Sequence, residues 1–85
     1  MYNIVISKNA LKDMVHLPVK INIQISKAID KLSGNPRPAG CKKLKGEKEY
    51  MWRIRVGDYR ILYTIEDEVK VVDIRKVGHR KDIYD

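Results

Sequence analysis

The fold is decided by the stretch Met51-Trp52-Arg53-Ile54-Arg55-Val56-Gly57-Asp58-Tyr59-Arg60-Ile61-Leu62-Tyr63-Thr64-Ile65. Two alternating runs flank Gly57-Asp58, the kind of two-residue connection that closes a β-hairpin. That turn sets Val56 opposite Tyr59, Arg55 opposite Arg60, Ile54 opposite Ile61, Arg53 opposite Leu62 and Trp52 opposite Tyr63. Successive side chains in a strand point to opposite faces. Trp52, Ile54, Val56, Tyr59, Ile61, Tyr63 and Ile65 therefore share one apolar face, and Arg53, Arg55 and Arg60 emerge on the other.

Downstream, Asp67-Glu68 offers a second turn before another apolar run, Val69 to Val77. A turn centred there predicts Arg60 opposite Arg75, Ile61 opposite Ile74, Leu62 opposite Asp73 and Tyr63 opposite Val72. A slip of one residue would move Val72 and Ile74 onto the arginine face, so the hydrophobic pattern favours this pairing. Arg55, Arg60 and Arg75 then form a row of neighbouring like charges across three strands. Each such pair costs on the order of 0.2 to 1 kcal/mol. Two readings follow: an anion is meant to sit on this face, or the face is solvated and partly neutralised by Asp73 and Glu66.

Upstream, Tyr2 to Ile6 reads as a short strand and Ser7 as a helix N-cap. Ala10, Leu11, Met14 and Val15 lie at helical spacing, with His16 bordering that helix. Leu17-Pro18 interrupts, and Pro18 is suited to open a second helix. From Pro18 to Ser33, Ile21, Ile25, Ala28, Ile29 and Leu32 form one stripe, while Asn22, Gln24, Lys27, Asp30 and Lys31 face away. Gly34 ends the helix. The pair is a helical hairpin with one apolar side that needs a sheet to cover it. Asn35 to Gly40 is loop by composition, and Lys42 to Gly46 adds a short strand or extended edge.

With 85 residues the chain has room for one domain, residues 1–85, whose site must be open and shallow. Its 44% hydrophobic and 34% charged residues are those of a folding domain, not of a disordered tail. The net charge of +7 is concentrated: Arg37 to Thr64 holds eight basic and three acidic residues, leaving +5. That balance favours polyanionic partners, although a solvated surface would look the same from charge alone. The single cysteine, Cys41, permits no internal disulfide, and no apolar run approaches membrane-spanning length. Met1 to Ile6 is too short, and too soon followed by Lys8, to read as a signal peptide. A cytoplasmic protein without membrane association is the expectation.

His16, His79 and Cys41 lack metal-ligand spacing, and no cofactor or metal is expected. No glycine-rich phosphate loop is present, and Ser7, Ser26 and Ser33 have no His and acid near them in sequence. Trp52 and Tyr63 belong to the core rather than to a base-stacking platform. What remains for chemistry is the arginine face, the lysines Lys42, Lys43, Lys45 and Lys48, and the segment Gly78-His79-Arg80-Lys81-Asp82-Ile83-Tyr84.

Lys43-Leu44-Lys45-Gly46, the run from Trp52 to Tyr63, and Val71-Val72-Asp73-Ile74-Arg75-Lys76-Val77 continuing into Gly78 to Tyr84 together resemble the RelE/ParE superfamily of type II toxins. The resemblance covers nearly the whole chain. It implies an α+β fold in which the N-terminal strand and two-helix hairpin pack on a curved, mainly antiparallel sheet. For members of the RelE type it implies a metal-independent endoribonuclease that cuts mRNA on the ribosome. There the RNA's own 2′-hydroxyl attacks the scissile phosphate, and a cognate antitoxin silences the enzyme in a hetero-oligomer. Carried over by position, the basic strand pair falls on Arg53 and Arg55. The next-strand arginine falls on Arg60, the arginine after the final strand on Arg80, and the base-stacking tyrosine on Tyr84. Lys42, Lys43, Lys45, Arg75, His79 and Lys81 would contact RNA.

The best-known ribosome-dependent members carry lysines where this chain has Arg53 and Arg55. An arginine, with a pKa above about 12, is a poor proton acceptor. The general base is thus left open, and His79 ranks as a phosphate contact or exposed tail residue ahead of any role as acid or base. Two alternatives stand beside the ribonuclease: a ParE-like inhibitor of DNA gyrase, and an inactive relative that only binds its antitoxin.

Overall fold

The structure is a computed structural model that describes residues 1–45 and 50–83. Lys48 and Tyr84 lie outside the described residues. In chain order the elements are β1 (Asn3–Ile6), α1 (Lys8–Val15), α2 (Val19–Lys31), β2 (Lys42–Lys45), β3 (Tyr50–Val56), β4 (Tyr59–Glu66) and β5 (Val71–His79). The strands form one sheet in the order β1-β5-β4-β3-β2, with β1 parallel to β5 and every other pairing antiparallel.

Both helices lie on one face, as their stripes require. Ile25, Ile29 and Leu32 of the second stripe are buried with Ala10 against Ile54, Ile61, Tyr63, Val72, Ile74 and Val77. Full burial of such side chains contributes roughly 1.5–3 kcal/mol each, which is what holds an otherwise marginal hairpin of helices in place. Ser7 caps α1: its Oγ accepts from the Ala10 amide at 3.2 Å, and its own amide donates to the Ile74 carbonyl at 2.9 Å. Asn22 departs from the expected outward orientation. Its Nδ2 donates to the Met14 carbonyl at 2.8 Å, satisfying an acceptor at the end of α1.

The first hairpin has the predicted pairing, Val56 to Tyr59 through Trp52 to Tyr63. Gly57 takes a φ of +59°, the left-handed value asked of the first residue in a tight hairpin turn. The second hairpin differs from expectation. Its loop is four residues long, Asp67 to Lys70, with Lys70 at a φ of +56° and Glu66 facing Val71. Tyr63 therefore faces Ile74 rather than Val72. A two-residue displacement keeps each side chain on its face, so Val72 and Ile74 are still buried.

A β-bulge then shifts the ladder again. Tyr63 faces Ile74, but its neighbour Leu62 faces Lys76, leaving Arg75 as the extra residue. Past it, Val77 turns inward and Arg60 faces Gly78. The expected pairing of Arg60 with Arg75 is thereby overturned. The bulge is held from the helix side of the chain: Ser7 Oγ donates to the Arg75 carbonyl at 3.2 Å, and Asp13 Oδ2 accepts from the Val77 amide at 3.0 Å. β1 pairs with β5 only as far as Ile74, so these contacts occupy the edge that β1 leaves uncovered.

Candidate nucleic-acid interface

The face opposite the helices carries two directly opposed cation pairs, Arg55 with Arg60 and Lys42 with Arg53. The first was legible in the hairpin; the second arises because β2 adds alongside β3. Opposed side chains on one face have Cβ atoms roughly 4.5–5.5 Å apart, close enough for two guanidinium groups to address one phosphate. Arg55 is exposed and Arg60 half-buried. Arg53, expected to emerge beside them, is only 4% exposed, and Thr64 on the same face is 5% exposed. Part of this face is therefore covered, with Arg53 buried where Arg55 is exposed.

Arg80 joins the pair through the hairpin turn. Its amide donates to the Asp58 carbonyl at 2.8 Å, and its Nε stands 3.9 Å from Asp58 Oδ1. Asp58 belongs to the turn that joins Arg55's strand to Arg60's, so the three arginines gather at one end of the sheet. Ile83 is 5% exposed and packs over Gly78, the residue facing Arg60: a Cβ built on Gly78 would lie 3.0 Å from Ile83 Cδ1. Gly78 is thus small because the returning chain occupies its outer side.

The remaining predicted contacts are dispersed. Arg75 stands on the bulge, 3.2 Å from Asp73. Lys76, which sequence reasoning passed over, faces Leu62 on the arginine side. Lys81 is exposed in the turn after β5. Lys43 and Lys45 share a face with Trp52 and Tyr50, on the helix side of the sheet. Lys43 Nζ sits 4.0 Å from the centre of the Tyr50 ring. His79 is also on the helix side. Its ring meets Tyr59 edge-on at 5.4 Å, and it lines a cavity of about 380 Å³ with His16, Asp13 and Asp82. The bulge reverses the alternation from Val77 onward, which sets His79 opposite Tyr59 rather than on the face that carries Arg55 and Arg60.

A second polar cluster secures the loop before β2. Arg37 grips Asp67 with both terminal nitrogens, at 3.2 and 2.8 Å, and lies 4.9 Å from the Trp52 ring centre. The Tyr2 hydroxyl donates to the same carboxylate at 2.6 Å. The hydrogen bond from Arg37, aided by that from Tyr2, holds the Asp67 carboxyl at about 2, and the same contact raises Arg37 above its ordinary range. The Tyr63 hydroxyl donates to the Pro36 carbonyl at 2.7 Å, and burial pushes its ionisation well above the usual tyrosine range. These groups shape the loop and lie away from the opposed arginines.

The arginine end of the sheet can bind a phosphodiester and stabilise negative charge that grows on it. Its guanidinium groups are donors only and offer no acceptor for a proton. Among the described residues no group of three or more His, Cys, Asp or Glu side chains is placed to hold a metal ion. Among them, too, no helix is long and apolar enough to cross a membrane.

Two helices packed on a five-stranded mixed sheet make the α+β fold of solved toxin structures. The crystal structure of an archaeal RelE–RelB complex from Pyrococcus horikoshii OT3 superposes with a TM-score of 0.83 at 29% identity, over 96% of this chain and 98% of that one. Toxin RelE3 of Methanocaldococcus jannaschii is 37% identical over 96% of this chain and 94% of its own length. Toxin RelG of Mycobacterium tuberculosis is 37% identical over 98% and 95% respectively. Residues 4–84 match the family described as ParE toxin of type II toxin-antitoxin system, parDE, and the chain belongs to that family.

Proposed function

We propose that this toxin is a ribosome-dependent endoribonuclease that cleaves mRNA, silenced by a cognate antitoxin with which it forms a hetero-oligomer. The observation that carries the reading is the opposed pair Arg55 and Arg60 with Arg80 tied to the turn between their strands. Relatives named as RelE and RelG toxins, and the solved RelE–RelB complex, support it.

In this reading the RNA 2′-oxygen attacks the adjacent phosphorus and the bond to the 5′-oxygen breaks. Arg60 and Arg80 hold the scissile phosphate and stabilise the charge that develops, with Arg55 beside them. Arg53, buried below, adds positive potential rather than a direct contact. Tyr84 stacks on a base. Lys42, Arg75 and Lys81 flank the site as backbone contacts, while Lys43, Lys45 and His79, on the helix side, meet RNA only beyond the cleavage site. No metal takes part.

With arginines in the strand pair, the chain holds a phosphate better than it removes a proton. The ribosome supplies what is missing by fixing the mRNA in a near-attack geometry, an effect worth roughly 7–11 kcal/mol. The antitoxin covers the basic surface with an acidic segment that folds on binding. The test adds purified protein to a translation reaction and, in parallel, to a gyrase supercoiling assay. Cuts within codons on translating ribosomes, little cutting of free transcript and normal supercoiling are expected. Intact mRNA with blocked supercoiling would replace this reading with gyrase inhibition.

A further inference from the structure

The chain leaving β5 does not run off into solvent. It reverses, tied by three donors: the Arg80 amide to the Asp58 carbonyl at 2.8 Å, the Lys81 amide to His79 Nδ1 at 3.2 Å, and the Asp82 amide to the His79 carbonyl at 2.8 Å. The reversal carries Ile83 back over the sheet, where it is 5% exposed on top of Gly78. Gly78 faces Arg60 in the ladder, so the aliphatic contact lies beside the cation pair. The fit leaves no slack: a methyl group on Gly78 would stand 3.0 Å from Ile83 Cδ1 and 3.2 Å from Cγ1, closer than ordinary van der Waals contact.

From this geometry we infer that Gly78 and Ile83 form a seat that positions the returning segment, and with it Arg80, against the cationic end of the sheet. Both are positioning residues; neither touches substrate. Ile83 is the apolar hold on a turn otherwise kept by exposed polar bonds, which water can replace at little cost. Tyr84 follows Ile83 directly in the sequence. His79 serves the same segment from the far side of the sheet. Its Nδ1 takes the Lys81 amide and its ring rests on Tyr59. The inference rests on the ribonuclease reading for its catalytic consequence, whereas the seat itself can be read without activity.

The test uses complementary size changes in the full-length chain. Gly78→Ala intrudes on Ile83, and Ile83→Val removes Cδ1, the nearer of the two atoms that the new methyl would meet. Two readouts are taken: hydrogen exchange at the Arg80 and Asp82 amides, and single-turnover cleavage with ribosome binding measured separately. Gly78→Ala and Ile83→Ala should each speed exchange at both amides by about tenfold or more, as local opening of the turn becomes easier. Displacement on the scale of an ångström should cut the cleavage rate by about 10²-fold with ribosome affinity little changed. The Gly78→Ala, Ile83→Val pair should recover part of both losses, with the thermal midpoint of each variant measured alongside to separate local opening from global unfolding. Unchanged exchange in both single variants would overturn the seat. Faster exchange with full cleavage would overturn its positioning role. Wild-type protein that fails to cut on ribosomes would refute the ribonuclease reading instead, and the exchange result would then decide the seat alone.

Discussion

Replacing Tyr63 by phenylalanine removes one oxygen from the centre of the fold. Tyr63 is 0% exposed, and its hydroxyl is 2.7 Å from the carbonyl of Pro36, itself buried. The phenylalanine ring fills the same space, so the loss is a hydrogen bond whose acceptor belongs to a buried residue. Such a change costs about 1–3 kcal/mol. For 85 residues an unfolding entropy of about 2.1 cal/mol/K per residue gives about 0.18 kcal/mol/K, which translates the loss into a fall in Tm of about 6–17 °C. Thermal unfolding by circular dichroism reads this directly, with Tyr50→Phe, at a side chain 56% exposed, as the control expected to stay within error. The alkaline limb adds a second signature. Folding holds the Tyr63 proton above the ordinary pKa of 10.0, so its contribution is full below that pH and is lost as pH rises past it, because the unfolded chain ionises first. Tyr63→Phe should flatten that part of the decline. A Tm within 2 °C of wild type would show that the Pro36 carbonyl is not held by this bond, and the account of the loop would fail.

Arg60→Ala and Arg80→Ala should each slow ribosome-dependent cleavage by about 10²-fold or more and relieve growth arrest with the fold intact by circular dichroism; unchanged cutting by both would remove them from the site. Asp67, held at about 2 by Arg37 and Tyr2, contributes stability above its ordinary pKa of 3.8 that is lost as pH falls through 2. Urea midpoints measured from pH 5 to pH 2 should therefore fall less for Asp67→Asn than for wild type, and parallel curves would refute the coupling. Asp13→Ala leaves the Val77 amide without its acceptor at the bulge and should cost about 1–3 kcal/mol with faster exchange at that amide; protection equal to wild type would show that another group holds the bulge.

The first hairpin was legible because its turn is marked by a glycine that the geometry needs, and its two strands alternate without interruption. The second carried no such mark. Its left-handed residue is Lys70, a residue type that gives no turn signal, and Val69 in the loop reads as strand but is 66% exposed. The bulge left a trace that went unread: Ile74 and Val77 are both apolar and three apart, which strict alternation forbids. Strict alternation through it carried Arg75 into a row it does not join. Burial of Arg53 was not legible at all, since alternation says which face a residue takes and nothing of what covers that face. The cross-strand pair of Arg55 and Arg60 was legible in the hairpin itself, whereas Arg80 was placed with them only through the resemblance to known toxins. Gly78 under Ile83 required the path of the returning chain.

The parallel pairing of β1 with β5 has a consequence for the birth of the protein. Asn3 waits for Val71, so during synthesis the first strand has no lasting partner for about 3–14 s at 5–20 residues per second. The helices meanwhile have each other and, once it is made, the β3–β4 hairpin to cover their apolar sides. Arg60 can acquire its neighbour Gly78, and Arg80 its turn, only after β5 has cleared the exit tunnel. The end of the sheet that gathers Arg55, Arg60 and Arg80 is therefore assembled last, after every other strand has been made.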